Sequence, residues 1–478
     1  MDAEDNQDKD EGILWVYDFE KQEAETIAEN VGIVQTSVPD DSENSSRTML
    51  YSSGDQLRAL EAGVSVPEDT KTEKQHSRKS GWLDLRRIRI SVQYQEEWAQ
   101  MFQETWRLQK EFFWTEDLSG VDWKRVYQRY ARLLPRIGSR SELSDLIWEM
   151  QGELGTSHAY EYGGDYPYSP HYPVGCLGAD LVFDSKQKSW IFQKIYSGDI
   201  WKPNEHSPLA EPGVSVEEGE RLLAVGGVPV DEHKTPGELL VHQAGQIVSL
   251  SVGQGTSNKK QVTGPKAQVS SVKNFEDDAR QVLVKTLSGE LEVRYREWVR
   301  KNIKTVDTLT GGRVGYLHIP DMSTHGIAEF HRGYLAQVDR EGLIVDVRYN
   351  AGGMVSPLIL EKLAHRHLGF DVPRWGTPES YPYHTLRGHL IVIANQFTGS
   401  DGDMFTTSFR QLQLGQLVGK RTWGGVIGID GRYQLVDGTT TTQPQYSIWF
   451  HHAGWSVENH GVDPDLSLIH LSEPTRPY

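Results

Sequence analysis

The sequence predicts a multidomain protein of mixed class, α+β in its first part and α/β in its last. Three observations carry that prediction. Short apolar runs punctuated by turn residues fill 1–64 and 172–297. An apolar period near 3.6 residues fills the stretch from Trp82 to Leu154. From Gly312 onward, three apolar strands each lead into a helical pattern. A chain of 478 residues, 37% hydrophobic and with 14 Trp, has material for about three packed domains.

The first segment, 1–64, offers Ile13–Tyr17, Ile33–Gln35 and Met49–Tyr51 as strands, which at this spacing make one sheet or a single propeller blade. Residues 65–81 are polar and read as a linker. In 82–171, Trp98, Met101, Phe102, Thr105 and Trp106 mark one face of a helix, and VDWKRVYQRYARLLPRI and SRSELSDLIWEMQGEL supply two more. Ser139 and Glu142 have the spacing of a capping box. The aromatic stripe is core material on ordinary burial preferences.

Residues 172–297 return to strands, among them Val174–Phe183, Trp190–Ile195 and Arg221–Val225. A helical stretch follows at Pro236–Ala244, and Glu290–Arg296 reads as a closing strand. The stretch 251–282, rich in Ser, Gly, Lys and Gln, reads as a surface insertion. Within 298–465, strands at Val314–Ile319, Gly342–Val347 and His389–Asn395 precede the helices IAEFHRGYLAQVD, SPLILEKLAHRHL and DGDMFTTSFRQL, with Gln416–Val418 as a fourth strand. Near-continuous apolar strands belong to a sheet covered on both faces, and ligand chemistry in such folds sits at the carboxyl ends of the strands.

Charge narrows the function class. Residues 1–80 hold 19 Asp+Glu against 8 Lys+Arg, so most of the net charge of −18 lies in an acidic leader. An electrostatic nucleic-acid binder needs clustered cations and is disfavoured. No run approaches the 18 apolar residues of a membrane span, and the acidic N-terminus lacks a secretory h-region, so a cytoplasmic protein is expected. One cysteine, Cys176, excludes an internal disulfide framework and a cysteine zinc site. No phosphate-cradling glycine motif stands between a strand and a helix, and no cluster has metal-ligand spacing, so no cofactor is expected.

Two strand ends carry chemistry. Gly342–Val347 runs into Arg348-Tyr349-Asn350-Ala351-Gly352-Gly353, where glycines present free N–H groups. His389–Asn395 runs toward Gly399-Ser400-Asp401-Gly402-Asp403, where a serine before a helix has an exposed Oγ beside an oxyanion donor. A plain N-cap is the commoner use of such a serine. Its base would come from 17 histidines. His365 and His367, two apart on a helix, and the adjacent His451 and His452 face different ways. His158 differs, because Ser157-His158 interrupts a helix at a domain border.

The slot Gly219–Gly227 with a helix after it resembles the centre of a PDZ domain, a module that binds extended peptide ends at a sheet edge. Taken with Gly152-Glu-Leu…Ser157-His158, Asp346-Val-Arg…Gly353, Asn395…Gly399-Ser-Asp-Gly-Asp403 and Glu458-Asn-His-Gly-Val-Asp-Pro-Asp465, it is similar to the tricorn protease core, related to the C-terminal processing peptidases. The resemblance covers Gly81 to Asp465. It implies Ser400 as nucleophile, His158 as general base, and Ser157 and Glu458 as the rest of a Ser-His-Ser-Glu tetrad. It further implies Gly353 and Asp401 as oxyanion-hole amides, and Asp371 as an acidic specificity residue lent by a neighbouring subunit of a homohexamer. Oligopeptides left by larger proteases are the implied substrates.

Two rivals stand beside this reading. A Ser-Lys processing peptidase would carry a lysine where Gly425 stands, and a silent PDZ-type scaffold would bind peptides without cutting them. Relative to the family, 1–64 amount to one blade of two large propellers, and LSLIHLSEPTRPY (466–478) resembles a translated library adapter with no structural role.

Overall fold

The structure is a computed structural model that describes residues 12–37, 47–63, 76–167, 169–199, 202, 205–255 and 279–468. The acidic leader through residue 11, most of the 65–81 linker, most of the 251–282 insertion and the tail beyond residue 468 lie outside the described residues. Two compact units divide the chain between Tyr94 and Gln95.

The first unit holds two antiparallel sheets: β1 (Gly12–Asp18) with β2 (Glu23–Val31), and β3 (Val34–Thr36), β4 (Thr48–Ser53) and β5 (Gln56–Glu61) in that order. Ile27, Val31, Met49 and Tyr51 form their core. β2 and β5 are additional to the three strands expected: acidic residues break the apolar run of EAETIAENV, yet Ile27 and Val31 alone supply its buried points. Trp82, expected to open the helical region, bridges to Arg58, and the first α-helix starts only at Tyr94.

In the second unit, α1 (Tyr94–Phe112), α2 (Trp123–Ala131) and α3 (Arg140–Gly152) enclose Met101, Phe102, Leu143, Ile147 and Met150. The Ser139–Glu142 capping box is present at α3. Leu435, nearly three hundred residues later in the chain, closes this core. β6 (Glu161–Tyr162) follows, and then β7 (Ala179–Asp184), β8 (Ser189–Ile195), β9 (Arg221–Val225), β10 (Val228–Pro229), β11 (Ile247–Gly253) and β12 (Arg280–Lys285) build one antiparallel sheet. Gly226 and Gly227, with φ of 59° and 77°, make the β9–β10 turn that other residues would strain. The expected helix at 236–244 contracts to α4 (Pro236–Leu239).

Glu290–Arg296 is not a strand. It opens α5 (Leu291–Thr310), a twenty-residue helix that crosses the expected boundary at 297. The sequence misleads because Leu291, Val293 and Tyr295 alternate with charge. In the helix, Val293 and Arg296 share the buried side, and Arg294 pairs with Glu290 one turn earlier at 2.6 Å.

The α/β layer is a five-stranded parallel sheet in the order β13 (Val314–His318), β14 (Gly342–Asp346), β17 (His389–Ala394), β18 (Gly415–Gly419) and β22 (Leu466–Ser467). Between them run α6 (Thr324–Leu335), α7 (Ser356–Ala364), the hairpin β15 (Gly369–Asp371) and β16 (Glu379–Tyr381), and α8 (Asp401–Gln411). Short strands β19 (Gly428–Asp430), β20 (Thr440–Thr441) and β21 (Gln443–Tyr446) follow β18. Leu317, Val345, Val392 and Leu417 from the sheet pack on Phe330, Ile359, Phe405 and Phe409 from the helices. Residues 466 and 467 correct the expectation of a tail without structure, since they pair with Val418 and Gly419 at the sheet edge. His365 caps α7 and His367 lies beyond its end, so they are not two positions of one helix; His451 and His452 sit in a turn. Among the described residues no helix is long and apolar enough to cross a membrane.

Candidate active site

Strand β17 ends at Ala394, and the chain turns through Gly399 into α8 with Ser400 at φ 55°, ψ −122°. A left-handed φ at a serine is strained backbone of the kind held at functional sites. Ser400 occupies the N-cap position, yet its side chain makes no capping hydrogen bond, so the hydroxyl stays free for other work. Close packing holds the turn in place. A Cβ on Gly352 would lie 2.4 Å from Ser400 Cβ, and one on Gly399 would lie 2.8 Å from the Trp423 ring.

His158 follows α3 after a short turn and is buried, with φ 65°. Its Nδ1 lies 2.6 Å from the Ile427 carbonyl, which can only accept, so Nδ1 carries the proton and Nε2 keeps its lone pair. Ser157 Oγ stands 3.3 Å from the same nitrogen and 3.1 Å from Glu458 Oε2. The Glu458 carboxylate also accepts from Ser157 N–H at 2.7 Å, Val426 N–H at 2.8 Å and Thr156 Oγ1 at 3.2 Å. Burial lowers the His158 pKa from its ordinary value, opposed by the Ile427 carbonyl and the Glu458 charge. A neutral imidazole able to accept a proton at Nε2 is the result.

One loop ties the base to the nucleophile turn. Trp423 N–H donates to Thr398 O at 2.9 Å, and its indole meets the His158 ring edge to face at 5.5 Å. His158 and the Gly399–Ser400 turn therefore flank the same side chain. Further along the loop come Val426 N–H, on Glu458, and Ile427 O, on His158. Thr442 completes the support by donating from Oγ1 to the His158 carbonyl at 2.6 Å. β20 beside it pairs with β6.

The other strand end forms the facing wall. Asn350 donates to Ile319 O at 2.9 Å and accepts from Gly352 N–H at 2.9 Å through its side chain, while its carbonyl accepts from Gly399 N–H at 2.9 Å. Gly353, at φ 150°, lies so close to Met322 that a Cβ would stand 2.0 Å from its carbonyl oxygen. Among the described residues the N–H groups of Gly353 and Asp401 have no backbone acceptor, Asp401 being the first residue of α8. Asp401 turns its buried carboxylate to the Ser356 N–H and hydroxyl, at 2.9 and 2.5 Å.

Ser157, His158 and Glu458 are thus joined by hydrogen bonds, and Gly352 brings the Gly353 turn against Ser400. Asp371 is not brought to them. It stands exposed on β15 opposite Glu379, where its charge helps raise the Tyr383 phenol pKa. Gly425 leaves no room for a lysine, because a Cβ there would lie 2.2 Å from the Trp423 ring. Glu205, Glu292 and His325 gather ligand atoms within 4.8 Å, but Lys202 and Arg296 already bind Glu205 at 2.8 and 2.6 Å. Sequence reasoning missed Ile427, Val426, Trp423 and Thr442. The first two act through backbone atoms, which leave no mark on residue type; the aromatic Trp423 beside a glycine pair was the one available signal.

Family models match in the order the fold shows: the Tricorn protease C1 domain over 94–152, the Tricorn protease PDZ domain over 175–265 and Peptidase family S41 over 313–468. The chain carries the tricorn core. It is 43% identical over 397 residues to "Tricorn protease homolog 1" of Streptomyces coelicolor, which covers 83% of this chain and 35% of that protein. Over 455 residues it is 40% identical to "Tricorn protease homolog" of Saccharolobus solfataricus, covering 95% of this chain and 39% of that one. The "Crystal structure of the tricorn protease" superposes on 95% of this chain with a TM-score of 0.80 at 32% identity, over 41% of its own length. The tricorn core thus spans well under half the length of these relatives.

Proposed function

We propose that this tricorn core is a serine peptidase that hydrolyses oligopeptides by acyl transfer. The observation that carries the reading is the His158 tautomer: with Nδ1–H committed to Ile427 O, Nε2 keeps its lone pair, and the Trp423 that meets this ring also packs on the turn of the uncapped Ser400. Ser400 Oγ attacks the scissile carbonyl while His158 Nε2 takes its proton. The carbonyl oxygen becomes an oxyanion and accepts from the Gly353 and Asp401 N–H groups. Glu458, through Ser157, stabilises the imidazolium. Collapse breaks the C–N bond, and His158 returns the proton to the leaving amine. Water, deprotonated by His158, then attacks the Ser400 ester and releases the acid.

Asp371 fits a role in another copy's specificity pocket, because it stands exposed on the β15–β16 hairpin. Exchange between subunits of a homohexamer in the cytoplasm, with a preference for basic side chains before the cut, completes the proposal. β1–β5 fit one propeller blade. Labelling with a serine-reactive fluorophosphonate tests the chemistry. Label at Ser400 that disappears in His158→Ala supports it, and a folded, assembled protein without label favours a peptide-binding scaffold.

A further inference from the structure

Resting on that reading, we infer that Asp403 is a positioning residue that couples the nucleophile helix to the loop orienting the base. Asp403 lies one turn into α8, three residues after Ser400, and is fully buried. Its Oδ1 accepts from Gly424 N–H at 2.9 Å and its Oδ2 from Gly425 N–H at 3.2 Å. Those are the two residues before Val426, whose N–H holds Glu458, and Ile427, whose carbonyl holds His158. The chain of contacts is short: Ser400, one helical turn, a carboxylate, two amides, and the carbonyl that sets the imidazole tautomer.

Both oxygens are needed, because the two amides converge on one carboxylate from adjacent residues. An amide side chain there could satisfy one N–H and would present its own NH2 to the other. Glycine at 424 and 425 allows this approach: Gly424 has φ 89° and a Cβ on it would meet Gly461 N at 2.4 Å. The groups facing Asp403 are the Thr422 hydroxyl, the Gly424 and Gly425 amides and the Ser400 N–H. Asp401 on the same turn is engaged with Ser356, while Glu458 and His158 take the next two residues of the loop, Val426 and Ile427. No cation offsets its burial in that set, and burial raises its pKa to about 6 despite those donors. Protonation of Asp403 therefore removes an acceptor from the loop as pH falls through about 6, and His158, whose own pKa burial lowers from its ordinary value, adds a second proton on the acid side.

The test is the rate of fluorophosphonate labelling of the full chain from pH 4.5 to 8, within the range where far-UV circular dichroism is constant. Wild type is expected to lose rate with falling pH along a limb whose logarithmic slope exceeds one and tends to two, because two protons disable the site. Asp403→Asn is expected to label about a hundredfold more slowly at pH 7.5, with a limb of slope one. A wild-type slope of one overturns the inference whether or not the variant folds, as does an Asp403→Asn protein with wild-type rate and slope. A wild type that labels at no pH removes the serine chemistry itself, a failure distinct from these.

Discussion

Ser157 Oγ lies 3.1 Å from Glu458 Oε2, across 301 positions of sequence. The carboxylate is saturated there, with two backbone N–H groups and two hydroxyls converging on its two oxygens. Its place at the site is consequently fixed by the fold and not by a side-chain rotamer alone.

Replacing that carboxylate separates its role from that of the serine. Glu458→Gln turns one acceptor into a donor against N–H partners and removes the charge behind the base, so kcat should fall at least a hundredfold with KM little changed. Ser157→Ala leaves the Ile427 carbonyl holding Nδ1 and should cost about tenfold. Steady-state kinetics on a basic fluorogenic peptide would compare them, and equal losses would contradict this division.

The acid limb should also report on Trp423. Burial disfavours the charged imidazole and holds the His158 pKa below its ordinary 6.5. Trp423→Ala opens the ring to water, relieves that effect and should move the midpoint of the limb up toward 6.5. A midpoint that stays or falls would mean that the indole does not shield the base.

Gly352 and Gly353 should fail in different ways. Gly352→Ala places a methyl against Ser400 at a φ of 88°, so labelling should drop about a hundredfold while the fold survives. Gly353→Ala drives a methyl into the Met322 carbonyl, and should lower stability by about 2 kcal/mol or more as well. Parallel labelling and thermal melts would tell the two apart.

Arg140 is a buried strut at the start of α3. It meets Glu161 at 2.8 Å and Asp437 at 2.7 Å, joining α3 to β6 and to the loop before β20. Arg140→Ala strands two carboxylates without their cation and should cost about 3–5 kcal/mol in denaturant unfolding. A loss under 1 kcal/mol would show that water reaches the pair.

At the start of α6, Asp321 and His325 set a stability change with pH. The hydrogen bond to Asp321 raises the His325 pKa above its ordinary 6.5. That stabilisation is fully present below pH 6.5 and is lost as pH rises through the raised value. Solvent reaches the pair, so about 0.5 kcal/mol is expected, and His325→Gln should flatten the decline above pH 6.5.

Much of this arrangement was legible in advance where the signal lay in side-chain pattern. The apolar strands Gly342–Asp346 and His389–Ala394 and the glycines after them read directly, and so did the α1 face from Trp98 to Thr105 and the Ser139 cap. Glu290–Arg296 failed because alternation over seven residues cannot distinguish a strand from the first turns of a helix whose buried side carries Arg296. Ser400 and the pair Ser157-His158 stood out by their own place in the sequence, and the resemblance added Glu458 and the role of each. The lock on His158 could not be read, since Ile427 contributes a carbonyl that any residue would have. Nor could the parallel edge formed by Leu466 and Ser467, where only backbone pairing matters.

The pairing of β6 with β20, and the grip of Ile427 on His158 and of Glu458 on Ser157 near the start of the second unit, also order events in time. A ribosome releases His158 long before the residues that hold it. Until then the imidazole has neither its tautomer partner nor its counter-charge, and the serine turn has no finished wall. Domains that emerge early can fold, but the clamp around His158 can close only after Ile427 and Glu458 have emerged. The order of the histidine and its clamp along the sequence makes this corner one of the last parts of the described chain to be completed.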